Sequence, residues 1–156
     1  MTEKRTTFTD AEKRALDAYT KLMRAAESVT SRTARHMAAA DLTVSQFGVL
    51  EALYHKGPLC QRDIASKILK SSGNITVVID NLEKRGLVRR ERGAEDRRYI
   101  TIYLTDGGDA LITGLFPRIM EAIVAEMGIL NANEQEELAR LCRSIGLRDR
   151  SSNGRK

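Results

Sequence analysis

The chain has 156 residues, enough for one domain with helical extensions and too few for a multidomain assembly. Hydrophobic residues make up 42% and charged residues 30% of the sequence, which is typical of a soluble globular protein and excludes a disordered or membrane-spanning chain. The first residues lack the apolar core of a signal peptide, so we expect a cytoplasmic protein.

The positive charge lies in the middle of the chain. The net charge is +5, and the segment Gln61–Arg98 holds ten Lys and Arg against six acids, a local +4. From Thr105 onward seven basic residues face eight acids, a local −1. We therefore expect any polyanionic partner to bind the central segment.

The first predicted element is a helix that follows a loose arm at residues 1–9. From Asp10 to about Met37, apolar residues recur at intervals of three and four, which is typical of a helix with one apolar stripe. A second, short helix is predicted over residues 43–55. Thr43 and Gln46 form a capping box at its start, and "HKGP" ends it.

Two further short helices follow, separated only by "KSSG". The first, in "CQRDIASKILK", has Cys60 at the position where an N-cap Ser or Thr is expected. The second, in "SSGNITVVIDNLEKRG", ends at Gly86 in the usual C′ position. Such a pair is a candidate helix-turn-helix. The apolar face of the second helix consists of Ile75, Val78, Ile79 and Leu82.

A β-hairpin is predicted next, from "LVRRER" to "YITIYL". Its tip lies in "RRERGAEDRRY" at residues 89–99, which holds five arginines and three acids. A hairpin directly after a helix-turn-helix is the layout of a winged helix. Arginines at its tip suit the minor groove of DNA, where the narrow walls concentrate negative potential. The alternative is an ordinary solvated turn of mixed charge.

The C-terminal part is predicted to form two helices. Thr105 caps the first, and Pro117 is expected to bend or locally break it. Asn131 and Glu134 start the second, and a polar tail follows. The first and last helices carry more apolar surface than is needed to cover the central unit. We therefore expect this surface to be buried against a second copy of the chain.

The predicted fold is thus mainly α with a small β-hairpin: a winged helix-turn-helix flanked by N- and C-terminal dimerisation helices. The predicted boundaries are 1–40 for the arm and first dimerisation helix, 41–104 for the DNA-binding region, 105–147 for the C-terminal dimerisation helices, and 148–156 for the tail.

The outward face of the second helix-turn-helix helix carries the candidate base contacts. Asn can bond adenine, Thr can bond either base type, and an exposed Val can contact a thymine methyl. The free amides at the helix start suit a phosphate. From these residues alone, a DNA-reading helix and a solvated helix remain open alternatives. The candidate contacts are Ser71, Ser72, Gly73, Asn74, Thr76, Val77 and Asn81.

These segments together resemble the MarR family of bacterial winged-helix transcriptional regulators. The resemblance covers about Leu42 to Leu111 and lies in the Leu-Thr-x-x-Gln helix start, the Asn-x-Thr recognition helix, "LEKRGLV", the Asp-Arg-Arg wing and the "LT" before the next helix. It implies a two-fold dimer held by the terminal helices. Each subunit would present a recognition helix to the major groove and a wing to the neighbouring minor groove of a pseudo-palindromic operator in double-stranded DNA.

The family's wing motif of Asp, any residue, Arg falls on Asp96 and Arg98. The resemblance implies that Asp96 orients Arg98 and that Arg98 reaches the minor groove. Arg97 is the variable middle position and is expected to face phosphate. Successive strand side chains point in opposite directions, so only some of the preceding arginines can face DNA, and Arg92 is the candidate.

The resemblance also implies a small phenolic, lipophilic or oxidising effector. Cys60 is a candidate redox or ligand sensor because helix N-termini activate thiols, but a small half-buried substitute for Ser or Thr is the favoured interpretation. The peroxide-sensing branch of the family carries its cysteine in the first helix, where this chain has none. Cys142 fits a core or dimer interface better than a sensor. His36, His55 and Tyr19 are candidates for a ligand cleft, with ordinary packing or surface positions favoured.

The sequence therefore predicts a dimeric, sequence-specific DNA-binding regulator, a repressor released by such an effector. The alternative is a winged helix that binds proteins and has no operator. An enzyme is disfavoured, because we find no Gly-rich phosphate loop, no Ser-His-Asp set and no paired catalytic carboxylates. No metal site or cofactor is expected, since neither cysteine belongs to a C-x-x-C motif and only two histidines are present.

Overall fold

The computed structural model describes residues 8–68, 72–93 and 99–146, without the side chains of residues 72 and 73. The predicted fold class is confirmed: helices dominate, and a small sheet forms the wing. The elements of the described residues are α1 Asp10–Ala38, α2 Val44–Lys56, β1 Leu59–Cys60, α3 Gln61–Lys67, α4 Ser72–Lys84, β2 Val88–Arg92, β3 Ile100–Leu104, α5 Asp106–Met127 and α6 Ala132–Gly146.

The helix starts follow the capping residues of the sequence. The Thr43 hydroxyl accepts from the backbone N–H of Gln46 at 3.1 Å, and the Gln46 side chain accepts from the Thr43 N–H at 2.9 Å. Asn131 and Glu134 form the same reciprocal pair at α6. These bonds satisfy N–H groups that have no partner within the helix, so they fix where each helix begins.

The sheet contains one more strand than the predicted hairpin. β2 and β3 are antiparallel neighbours, with Arg90 opposite Ile102. The two-residue β1 pairs with the other edge of β3, with Leu59 opposite Ile102, so the strand order is β1-β3-β2. β3 is therefore the central strand, and it connects the start of the helix-turn-helix to the wing.

The chain passes from α4 into the wing through a tight turn at Gly86. Gly86 has a positive φ of 68°, which L side chains rarely adopt, and the Leu87 N–H bonds the Leu82 carbonyl at 3.0 Å. The Thr105 hydroxyl donates to the Gly86 carbonyl at 2.5 Å. At Gly108 in the first turn of α5, an added Cβ would lie 1.9 Å from the Leu87 carbonyl oxygen. The absent side chain thus lets α5 pack directly on this turn.

The core of the winged helix is built from α2, α3, α4, the sheet and the first part of α5. Burial of these apolar side chains is the main stabilising contribution to the unit, at roughly 25 cal/mol per Å² of apolar surface. The residues with no exposed surface are Val49, Leu50, Ile64, Ile75, Ile79, Leu82, Ile102, Ile112 and Ile119.

Of the two effects expected of Pro117, a bend or a local break in α5, the break does not occur. Pro117 lies inside a continuous helix, Asp106–Met127, and does not break it. The buried Leu115 and Ile119 on either side of the proline anchor the helix to the core, which offsets the lost backbone hydrogen bond. Residues through Met120 form one compact unit, and those from Glu121 form a second.

Candidate nucleic-acid interface

α4 has one apolar face packed into the core and one exposed, mostly polar face. Ile75, Ile79 and Leu82 are completely buried, as their spacing predicts, and Val78 is half-buried. The candidate contacts Asn74, Thr76, Val77 and Asn81 are all exposed, and Val77 retains 57% of its surface. The structure therefore brings these four predicted residues together on the solvent side of one helix. Their contact with bases stays a prediction.

A side chain of α3 contacts this exposed face. The Gln61 amide Nε2 donates a hydrogen bond of 2.6 Å to the Thr76 hydroxyl. Gln61 is the first residue of α3 and is half-buried, whereas Thr76 lies in the second turn of α4. Sequence reasoning missed Gln61, because a polar side chain fifteen residues from its partner leaves no periodic signal.

Arg90 of β2 faces α4 rather than solvent. Its guanidinium donates to Glu83 and to Asp80, both at 2.6 Å, and its backbone N–H donates to Glu83 at 3.1 Å. The Arg90 side chain is only 20% exposed. This cluster of Asp80, Glu83 and Arg90, which we call the α4–β2 ion cluster, joins the C-terminal half of α4 to the first strand of the wing.

The other strand arginines have different surroundings. Arg89 lies over the ring of Tyr103, 4.4 Å from the centroid, and pairs with Glu91. Arg92 is exposed at the end of β2, opposite Ile100. The expectation that only some of these arginines can face DNA therefore agrees with the geometry, because Arg90 is directed to α4.

The wing tip is not among the described residues. Asp96, Arg97 and Arg98 lie outside them, as does Ser71, and nothing is described of the side chains of Ser72 and Gly73. The base of the hairpin is closed by the Gly93 N–H, which bonds the Tyr99 carbonyl at 2.8 Å. Tyr99 itself is exposed.

Arg85, at the C-terminal end of α4, contacts the junction between α1 and α2. Its guanidinium donates to the carbonyl of Asp41 at 2.5 Å and to that of Ala40 at 3.4 Å. Asp41 has a φ of 58°, in the left-handed region that Asp tolerates better than most residues. Arg85 thereby satisfies carbonyl groups where α1 ends.

Cys60 occupies the N-cap position of α3, as predicted, but makes no side-chain capping hydrogen bond. It is half-exposed and Cys142 is exposed. His36 and Tyr19 are exposed on α1. Among the residues that the structure describes, no group of three or more His, Cys, Asp or Glu could hold a metal ion.

His55 belongs to an aromatic cluster between α2 and α5. Its ring lies 4.8 Å from that of Phe116 and 5.1 Å from that of Tyr54, both in edge-to-face geometry. Glu51 lies 3.6 Å from the imidazole. The packing interpretation of His55 thus agrees with the geometry.

Hydrogen bonds shift the pKa values of three side chains outside α4. The backbone N–H and hydroxyl of Thr9 bond the Glu12 carboxylate at the start of α1 and lower its pKa. On α6, the hydrogen bond between Glu137 and Arg140 lowers the pKa of Glu137 and raises that of Arg140. Both pairs are exposed and lie in single helical turns, at the start of α1 and within α6.

The sequence of this chain is similar to those of known proteins. A family model described as MarR family matches residues 42–100. The uncharacterized HTH-type transcriptional regulator YkoM of Bacillus subtilis is 33% identical over 144 residues, covering 92% of this chain and 94% of the relative. This chain belongs to the MarR family.

Solved structures of MarR-family fold have the same architecture. The regulator Sco3205 of Streptomyces coelicolor, solved in complex with DNA, matches with a TM-score of 0.82 at 21% identity, over 97% of both chains. BpsR of Bordetella bronchiseptica, whose DNA binding is regulated by 6-hydroxynicotinic acid, matches with a TM-score of 0.76 at 25% identity, over 83% of this chain and 98% of BpsR.

As a MarR-family member, the chain is a DNA-binding transcriptional regulator and not an enzyme. No helix within the described residues has the length and apolar character needed to cross a membrane.

Proposed function

We propose that the chain is a homodimeric repressor that binds a pseudo-palindromic operator. The observation that carries this proposal is the two-faced α4, on which Ile75, Ile79 and Leu82 are completely buried. On its other side the candidate contacts are exposed together: Asn74, Thr76, Val77 and Asn81. In the proposed complex α4 enters the major groove with these residues against base edges. The wing, with Asp96, Arg97 and Arg98 assigned from the sequence, follows the adjacent minor groove.

The dimer is supported by apolar residues that the single chain leaves exposed. On α1 these are Leu16, Tyr19 and Met23, and on α6 they are Leu138, Leu141 and Ile145. Apolar stripes of this size rarely stay uncovered on a monomer. We propose that a second copy covers them, which also gives the two recognition helices that a pseudo-palindrome requires. In this proposal, residues 1–40 and 105–147 form the dimer interface and residues 41–104 bind DNA.

We further propose that a small aromatic or oxidising effector releases the operator. The regulation of BpsR by 6-hydroxynicotinic acid supports an aromatic ligand class. The ring cluster of Tyr54, His55 and Phe116 is of a kind that stacks on such a ligand, and Tyr54 is partly exposed. Cys60 stays the candidate for oxidants.

Binding selection from a randomised DNA duplex, followed by footprinting upstream of the chain's own gene, tests the operator proposal. We expect one palindromic site and a linear loss of log affinity with log salt concentration, with a slope of about −0.9 per phosphate neutralised. Arg92→Gln should make the slope shallower by about one per subunit. Lys13→Gln, an exposed charge on α1, is the matched control and should leave it unchanged.

DNA binding that does not depend on salt concentration or on base sequence would contradict the operator proposal and favour a protein-binding winged helix.

The effector is tested by titrating the protein–DNA complex with hydroxylated aromatic acids and with a quinone or peroxide. If the oxidant releases wild type and Cys60→Ser equally, Cys60 is not the sensor.

A further inference from the structure

The hydrogen bond between Gln61 and Thr76 connects the two helices of the helix-turn-helix at the exposed face of α4. It is 2.6 Å long and joins residues fifteen positions apart. Gln61 is held at the start of α3, directly after β1, whose Leu59 and Cys60 pair with β3. The amide therefore projects from a backbone fixed on both sides, by the sheet before it and by a helix after it.

The bond restricts the conformation of Thr76. In a helix, a threonine side chain divides between two χ1 rotamers, which direct its hydroxyl and its methyl group differently. The hydrogen bond from Gln61 favours the rotamer that places the hydroxyl within its reach. Gln61 thus favours one placement of the hydroxyl and methyl groups of Thr76 on the exposed face of α4.

The two groups recognise different features of DNA. A hydroxyl bonds acceptors or donors on base edges, whereas a methyl group packs on the methyl of thymine. A threonine that samples both rotamers accepts more than one base pair, and a threonine held in one rotamer discriminates between them. The rotamer of Thr76 is therefore a determinant of sequence preference.

We propose that Gln61 is a specificity-determining positioning residue, which narrows the base preference of α4 by fixing Thr76. This rests on the proposed function, in which Thr76 meets a base pair. Gln61 acts through Thr76, so its removal should affect the one base-pair position per half-site that Thr76 contacts. General operator affinity should change little.

The test is a double-mutant cycle read out by binding selection with the full-length protein. Gln61→Met keeps the length of the side chain and removes the amide, and Thr76→Val keeps the shape and removes the hydroxyl. We expect Gln61→Met to reduce discrimination about threefold to tenfold at one base-pair position, the one that Thr76→Val also changes. The double variant should match Thr76→Val alone, because the effects are not additive.

Ser66→Ala is the matched control. Its hydroxyl bonds the Asp63 carbonyl within α3, so every base preference should persist. Thermal unfolding of each variant shows that the fold is intact.

Three outcomes overturn the inference: unchanged discrimination in Gln61→Met, equal weakening at every position, or additive effects in the double variant. A wild type that selects no sequence contradicts the proposed function, and the inference with it. A wild type that selects an operator while Gln61→Met retains its full preference contradicts the inference alone.

Discussion

The winged helix and α6 use their apolar residues in opposite ways. In the winged helix, Ile64, Ile75 and Ile79 have no exposed surface, and the unit completes its own core. On α6 no residue is buried, and Ile145 keeps 62% of its surface exposed. One region is thus stabilised within the chain, and the other leaves an apolar face exposed, which a second copy covers in the proposed dimer. Substitutions should therefore act on folding in the first region and on assembly in the second.

The largest effect is expected in the core. Ile79→Ala removes a fully buried side chain of α4 and leaves a cavity, so it should lower the free energy of unfolding by about 2–5 kcal/mol. Urea denaturation measures the change. Val77→Ala, on the exposed face of the same helix, is the control and should stay within about 0.5 kcal/mol of wild type. Equal destabilisation by the two variants would contradict the assigned faces of α4.

A smaller effect, on assembly rather than folding, is expected on α6. Leu141→Glu places a charge on the apolar stripe and should weaken the proposed dimer by about 2–4 kcal/mol, while the core of the winged helix stays intact. Sedimentation analysis against protein concentration measures this change. Glu136→Gln, which is exposed on the same helix, should leave the oligomeric state unaltered. A monomeric wild type would contradict the second copy as the covering surface.

The α4–β2 ion cluster should contribute less than the core, because its two carboxylates are about half exposed to solvent. Arg90→Met keeps the aliphatic stem but leaves Asp80 and Glu83 facing each other as like charges. We expect a loss of about 1–2 kcal/mol in the free energy of unfolding. Arg92→Met on the same strand should cost less than about 0.5 kcal/mol, since Arg92 is exposed. If both variants lose the same free energy of unfolding, the cluster does not stabilise the packing of β2 on α4.

The smallest effect concerns the start of α1. The pKa of Glu12 is lowered in the folded chain, so its stabilising contribution is present above the unfolded value of 4.5 and is lost as pH falls through the folded value. Helix content measured by circular dichroism should therefore fall slightly more on acidification in wild type than in Glu12→Gln. Identical pH profiles would show that the capping box does not contribute in solution.

The elements that the sequence predicted correctly depend on local patterns. The spacing of Ile75, Ile79 and Leu82 predicts the buried face of α4, and Thr43 with Gln46 predicts the start of α2. Both patterns arise from helix geometry within a few residues. The exposure of Asn74 and Thr76 follows from the same periodicity.

The features that the sequence did not predict depend on contacts between distant residues. A strand of two residues, β1, has no periodicity to detect, and only its pairing with β3 reveals it. The helical spacing of α4 does not reveal that Asp80 contacts the wing, because only the register of β2 brings Arg90 against it. Pro117 was expected to bend or locally break α5, and the helix is continuous, with buried neighbours on either side of the proline.

The three-stranded sheet has a consequence for the geometry of an operator. β3 pairs on one edge with the strand that leads into α3 and on the other with the first strand of the wing. The strand that leads into α3 and the first strand of the wing are therefore held together by main-chain ladders, which side-chain replacement leaves in place. In the proposed complex, divergence of surface residues would change the preferred bases while the spacing between these two segments stays constant.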